Sequence, residues 1–586
     1  MTAQEWSLPA VLDVVTDVAP DRDMLVSATT RRSYAQVRDR TRHLAAHFRQ
    51  HGLGVRRERR ELRRWECGQS TVALVMSNCP EYLEAMIGAF RARAVPFNVN
   101  HHYAPREIGA LLGQVGADAV VYHRRLGPKI AQAARFDTRL DTRLGTRFDT
   151  RLDTRLGTRF DTRLDTRLDT QPGGTLDGLL LIDVDDGSGV APLPGSTPFP
   201  SAVAGAEGVH DLPVPSPDDL YLVCTGGTTG TPKGVLWRQG DVYVSATGGV
   251  DGATRDVIAE IAEAGAGVWF AAPPLMHGAS QWTAFAGLVN GGTVVLHDDS
   301  RPFDAREILR TVERERVTMM SIVGDAYARP LMDEISAGSY DLASLVRLGT
   351  GGATTSAGLK QALLDLLPQL TVVDGYGASE TGGMAFGTST SGRPAHRFRL
   401  SAGAAVLSAD RSRFLDPSDD EVGWTARVGR IPLGYLGDRV RTEQTFPLVD
   451  GRRTSVPGDR AHYNSDGDII VLGRDAMVVN TGGEKVFVEE VEEVLRQHPD
   501  ILDALVVGRP NDRYGEEVVA LVQLRAGTQL SPASVREHVA GQVARFKAPR
   551  AVLLCPRIGR HVTGKADYIW ARRAALEAVS ATVPTT

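Results

Sequence analysis

TVALVMSNCPEYLEAMIGAFRARAVPFNVN, residues 71–100, decides the fold class. Its opening TVALVMSN reads as a buried strand. From Glu81 onward, Tyr82, Met86, Ala89 and Phe90 recur on one helix face. PFNVN then reads as a second strand. Strand, helix and strand in so short a span form the repeating unit of a parallel α/β sheet.

The same alternation continues on both sides of a long interruption. REIGALLGQVGA reads as a helix and AVVY as a strand. GTVVLH, FDAREILRTVERER and TMMSIV follow, and later LVRLGTGGA, SAGLKQALLDLLP and LTVVDGYG. After about residue 420 the strands shorten and Gly/Pro turns multiply, which predicts a small β-barrel-like part. From residue 475 a compact α+β pattern takes over. KVFVEEVEEVLRQH reads as a helix, ALVVGRP and EEVVALVQL as strands, SPASVREHVAGQV as a helix capped by Ser531, and AVLLC as a strand. The expected fold class is therefore α/β. A large N-terminal domain of layered α/β subdomains, residues 1–474, precedes a small α+β C-terminal domain, residues 475–586.

Size and composition agree. A chain of 586 residues is too long for one core. Lys plus Arg is 66 against 71 Asp plus Glu, a net charge of −5, so bulk charge gives no support to nucleic-acid binding. Cys67, Cys79, Cys224 and Cys555 are scattered without a CxxC or finger spacing. That argues against a disulfide scaffold and a structural zinc, and for a reducing cytoplasm. The N-terminus lacks a basic region followed by an apolar run, so no secretory signal is expected. No stretch reaches ~18 apolar residues, so no membrane span is expected; peripheral membrane contact stays compatible with a greasy substrate.

Two segments look inserted. Residues 135–170 are nine tandem units of R-[L/F]-[D/G]-T. In a helix this period drifts about 40° per unit, so the Leu/Phe stripe circles the axis and offers no face to bury. Repeated Arg on Arg at i,i+4 adds repulsion. A loop, rather than a long helix or strand, is expected. VRRERRELRRWECGQ, within 55–69, carries six arginines between Arg56 and Arg64 and is expected to be a solvated excursion.

Four motifs carry the chemistry. YLVCTGGTTGTPKG, Tyr221–Gly234, runs a strand into Thr225, Gly226, Gly227, Thr228, Thr229, Gly230 and Lys233. Backbone N–H groups, hydroxyls and an ammonium together suit a polyphosphate. Pro232 before the lysine and Gly234 after it exclude a Walker A loop. VVDGYGASETGG offers a strand ending at Asp374, then a turn presenting Tyr376 to a purine and Glu380 to Mg²⁺. It follows GTGGA, Gly349–Ala353. SVPGDRAHYNSDGDIIVLGRDAMVVNTGGEKV supplies Asp459 for ribose hydroxyls, Arg474, and a second glycine loop read as opening a helix. HVTGKADY places Lys565 near the C-terminus. Cys224 reads as a strand residue, not a nucleophile.

In this order the motifs resemble those of the adenylate-forming acyl-CoA synthetases, over nearly the whole chain apart from the inserts. AFRARAVPFNVN, PPLMHGASQW, GRIPLGY and NTGGEKVFVEEVEEVL look most like the ligases of fatty acids and steroid side-chain carboxylates. The resemblance implies attack of a carboxylate on the α-phosphate of ATP, giving acyl-adenylate and pyrophosphate, then transfer to the thiol of CoA with loss of AMP. It implies ATP, CoA and Mg²⁺ as co-substrates and cofactor, with Lys565, Glu380 and Thr228 catalytic and Glu380 on the metal. Thr225 to Lys233 would hold the β- and γ-phosphates. Gly351, Gly352, Ala353, Asp374, Gly375, Tyr376, Gly377 and Ser379 would line the adenylate, and Asp459 and Arg474 the ribose. Gly482, Gly483 and Lys485 would face CoA, brought there by rotation of a mobile C-terminal domain, and His277 and Trp282 the acyl pocket. Where the family often has Asp or Lys two residues after the hinge arginine, this chain has Ala476. Two alternatives share the motifs: an acyl-AMP ligase serving a carrier protein, and a silent homologue acting as a binding protein.

Overall fold

The computed structural model describes residues 4–136, 178–205, 208–225, 233–301, 303–352, 355, 357–391, 398–474, 478–559 and 568–580. Among them the strands form four sheets. The opening stretch folds as its pattern requires: strand Thr71–Val75, helix Pro80–Arg91, strand Val95–Asn98. The two strands pair in parallel, and both are buried along their length. Tyr82, Met86, Ala89 and Phe90 lie in the same apolar core. Fully buried strands on both faces are what a parallel sheet covered by helices produces.

This sheet runs, in spatial order, Gly434–Tyr435, Lys233–Arg238, Leu220–Thr225, Val95–Asn98, Thr71–Val75, Ala119–His123, Leu180–Val184 and Thr197–Pro198. The second large sheet carries Met319–Ile322, Arg347–Gly351 and Thr371–Ala378 side by side in parallel, followed antiparallel by Gly382–Ser389. Helix Gly278–Val289 is joined to both sheets by burial: Ala284, Phe285 and Leu288 pack with Tyr221 and Val223 of one and Val294 of the other.

Later segments depart from the sequence reading in detail. The barrel-like part is an antiparallel sheet that branches at Gly423–Val428, which pairs with Ala404–Leu407, Arg452–Ser455 and Asp459–Tyr463. In the small C-terminal domain KVF is not helical. Glu484–Phe487 is a strand, and the helix is Val488–Arg496. Ser531 caps Pro532–Ala540 as expected, its side chain accepting from the Ser534 amide.

The arginine-rich excursion is tied down rather than merely solvated. Glu58 pairs with Arg93, which also pairs with buried Asp219. Arg59 donates to the carbonyls of Glu66 and Arg63, and the Trp65 carbonyl accepts from the Gly437 amide. Arg56, Arg57, Arg60 and Arg63 remain exposed. The tetrapeptide repeat begins on the short helical turn Ala134–Phe136; beyond that it lies outside the described residues.

Candidate active site

The site is built from strand ends of both large sheets. Leu220–Thr225 and Lys233–Arg238 pair antiparallel, with Thr225 opposite Lys233, so the glycine-rich loop joins the two strands of a hairpin. Gly226, Gly227, Thr228, Thr229 and Gly230 lie outside the described residues, as do Ala353 and Lys565. The Lys233 ammonium sits 5.4 Å from the centroid of the Tyr435 ring. Beside it, burial pushes the Cys224 thiol well up, which keeps it a packed strand residue.

Tyr376 is not in a turn. The strand continues through it to Ala378, and the turn follows at Ser379–Thr381. Glycine is required here for closeness. A Cβ on Gly351 would meet the Gly375 carbonyl oxygen at 2.9 Å, and one on Gly377 the Gly382 oxygen at 2.2 Å. Asp374 pairs with Lys360 at 2.8 Å. The Tyr376 hydroxyl donates to Asp459 Oδ2 at 2.6 Å, so the expected purine and ribose residues are hydrogen-bonded to one another. Asp459 stands opposite Arg474 in the ladder, which places both on neighbouring strands.

Glu380 is held from two sides. The Tyr435 hydroxyl donates to Oε1 at 2.7 Å, and Ser455 Oγ donates to the backbone oxygen at 2.6 Å. Burial and the adjacent carboxylate push the Tyr435 phenol up, so it is a donor at neutral pH. Ser379 accepts from Trp237 Nε1 at 2.9 Å. A carboxylate has two oxygens, and Tyr435 engages one. Mg²⁺ typically takes one or two protein carboxylates and completes its shell with phosphate oxygens and water. Glu380 fits that demand. Among the described residues no group of three or more His, Cys, Asp or Glu side chains could hold a metal by itself.

The second glycine motif is a hairpin, not the opening of a helix. Val478–Thr481 and Glu484–Phe487 pair with Thr481 opposite Glu484, leaving Gly482 and Gly483 as a two-residue turn. Their φ values are +59° and +86°, the left-handed geometry such turns need. A Cβ on Gly483 would approach Val323 of the large domain at 3.2 Å. Glu484 reaches His277 Nε2 at 3.6 Å and Asn100 Nδ2 at 3.4 Å. Burial opposes its ionisation, yet His277, His102 and Lys547 hold its carboxyl below the ordinary value. His277 immediately precedes helix Gly278–Val289, and one turn on Trp282 meets Trp237 edge-on at 6.2 Å. Lys485 stands opposite Asn480.

A family model described as AMP-binding enzyme matches residues 12–431, and one described as AMP-binding enzyme C-terminal domain matches 490–565. The chain belongs to the AMP-binding enzyme family. The medium-chain acyl-CoA ligase Mig of Mycobacterium avium is 38% identical over 583 residues, 98% of this chain and 99% of that protein. The 3-oxocholest-4-en-26-oate–CoA ligase of Rhodococcus rhodochrous is 33% identical, over 95% of this chain and 93% of its own length. Among solved structures, the amide bond synthetase McbA of Marinactinospora thermotolerans superposes with a TM-score of 0.72 at 19% identity, covering 96% of this chain and 99% of its own. That likeness establishes the adenylate-forming fold.

Sequence reasoning missed Tyr435, Lys360, Asn100 and Glu484. Tyr435 was in view only within GRIPLGY. Glu484 follows a Gly-Gly pair flanked by strand-forming residues, a hairpin signal that the helical period of VFVEEVEEVL masked.

Proposed function

We propose that this AMP-binding family enzyme activates a hydrophobic carboxylic acid, a medium- or long-chain fatty acid or a steroid side-chain carboxylate. The reaction class is that of its acyl-CoA ligase relatives. A carboxylate oxygen bonds to the α-phosphorus of ATP and pyrophosphate leaves. The sulfur of CoA then bonds to the acyl carbon, the acyl–phosphate bond breaks, AMP leaves, and the thiol proton is released.

Two anions meet in the first step, so cations must surround them. Lys233 and the loop it closes would hold the outer phosphates. Tyr376 and Asp459 would take the adenosine, with Arg474 beside them, and Glu380 would hold Mg²⁺ in the orientation Tyr435 sets. Mg²⁺ would neutralise phosphate charge there. Lys565 would bridge carboxylate and α-phosphate. His277 and Trp282, on one helix, would border the acyl group.

The observation that carries the second step is the docking of the Gly482–Gly483 hairpin against the large domain through Glu484, His277 and Asn100. We read this as the thiol-transfer pose, with the C-terminal domain, starting after Arg474, turning to bring Lys565 in for adenylation. The free cysteines suit a reducing cytoplasm. No described helix is long and apolar enough to cross a membrane.

ATP–pyrophosphate exchange with and without CoA, across fatty, aromatic and steroid acids, tests the reading. Exchange with a fatty or steroid acid, and acyl-CoA on adding CoA, is the expected result. Acyl transfer only to a carrier protein, or no exchange at all, would overturn it. Lys565→Ala should slow exchange by roughly 10²–10³-fold, the scale of one preorganised charge.

A further inference from the structure

We propose that Lys547 is a charge latch that holds the small domain in the thiol-transfer pose. It would thereby act as a positioning residue for the second half-reaction; the inference rests on the two-pose reading above.

Lys547 ends the short turn Arg545–Lys547 in the small domain, and its side chain is only 4% exposed. Its ammonium lies 2.7 Å from Glu107 Oε1 of the large domain and 2.7 Å from Glu490 Oε1 of its own domain. It also sits 4.8 Å from the centre of the Tyr103 ring, a cation–π distance. Glu107 is fixed by a further bond, its Oε2 accepting from the Ala104 amide at 2.8 Å. Just before the lysine, Ala544 packs into the core that holds Leu236 and Cys224 of the large domain, and Phe546 packs against it. The cation is thus the polar centre of an apolar interface.

The arrangement is coupled to the site by covalent distance. Glu490 lies in the first turn of helix Val488–Arg496, which follows strand Glu484–Phe487 directly, so the latch and the Glu484–His277 contact are joined by a short path. Rotation of the small domain would separate Lys547 from Glu107 and Tyr103 while leaving it with Glu490. Two carboxylates face each other across this interface with one cation between them. Removing that cation leaves both carboxylates largely buried and without their counter-charge in this pose only; after rotation water would solvate them. The charge triad therefore discriminates between poses, which an evenly solvated surface pair does not.

The test separates the half-reactions in the full-length enzyme. Lys547→Met keeps the stem's bulk and removes the charge. We expect transfer from supplied decanoyl-AMP to CoA to slow about tenfold or more, with ATP–pyrophosphate exchange retained. Adding Glu107→Gln and Glu490→Gln to that variant removes the stranded charges and should restore much of the transfer rate. Transfer by Lys547→Met at the parent rate would overturn the latch. So would equal loss of both half-reactions, which marks a merely structural residue. Carbodiimide labelling of the Glu484 carboxyl, which His277 and Asn100 of the large domain cover in this pose, reads the pose with AMP and CoA present. The parent should be protected and Lys547→Met exposed. A protected parent with an equally protected variant overturns the latch alone. An unprotected parent overturns the two-pose reading, and the latch with it.

Discussion

Tyr435 shows how much one hydroxyl can decide. It ties Glu380 Oε1 while its ring lies under the Lys233 ammonium, so a single side chain links the carboxylate and the cation of the proposed phosphate site. Hydrogen bonds to charged groups are worth about 1.5–3 kcal/mol. Tyr435→Phe should therefore lower the exchange rate by about tenfold to a hundredfold and raise the Mg²⁺ concentration needed for half-maximal rate. An unchanged Mg²⁺ dependence would separate the tyrosine from the carboxylate proposed to hold the metal. Such residues were partly legible. Glu380, Asp459 and Tyr376 stand in compact motifs, and residue type alone suggested their chemistry. Their pairing was not legible, because Tyr435 and Glu380, or Tyr376 and Asp459, meet only after separate strands pack together. Local periodicity carries no record of such encounters.

Elements were legible where burial imposed a clean period. Strand Thr71–Val75 and helix Pro80–Arg91 are close to where alternation placed them, because every side of each is covered and the apolar run has clear ends. The hairpin Val478–Phe487 was misread because Val486, Val488, Val491 and Leu495 suit a helical stripe, although the first of them lies on a strand. The strand after Asp374 ran further than expected because pairing with Gly382–Ser389 extends it. Inserts obey a different logic. The tetrapeptide repeat departs after Phe136, and the chain is back in the sheet at Leu180, which pairs with Ala119. Both neighbouring strands are held by their own ladders, and loop length alone changes closure entropy only slowly. Deleting residues 139–170 should leave exchange and thioester formation within about twofold of the parent; a large loss in either assay would give the repeat a working role.

At the scale of the whole molecule, the layered α/β class and the small C-terminal domain were readable from alternation, whereas how the small domain docks was not, since it depends on surface charges from distant segments. That docking has a proton signature. Burial first, and the nearby Glu107 carboxylate, push Glu490 up to about 7 against the pull of Lys547. The Tyr103 phenol, kept neutral by burial and by the carboxylates of Glu107, Glu484 and Glu490, faces the same cluster. A solvated Glu titrates near ~4.3. Between those values the docked pose holds more protons than the rotated one, so docking takes up a proton there and is favoured as pH falls toward the lower value; above about 7 the dependence ends. With AMP and CoA added at pH near ~6 in weak buffer, dye-detected uptake should be clear, absent at pH ~8 and absent in Glu490→Gln. Uptake that survives in Glu490→Gln would assign the proton elsewhere. A different kind of signal is built into the Trp237–Trp282 pair. One indole donates to the turn that carries Glu380, and the other rides the helix that follows His277. Indoles this close exchange excitation, so a shift on either side alters the emission of both. With nucleotide and acid bound as proposed, ultraviolet fluorescence from the unlabelled enzyme should follow their arrival and give their binding order by stopped flow; a signal indifferent to both would place them elsewhere.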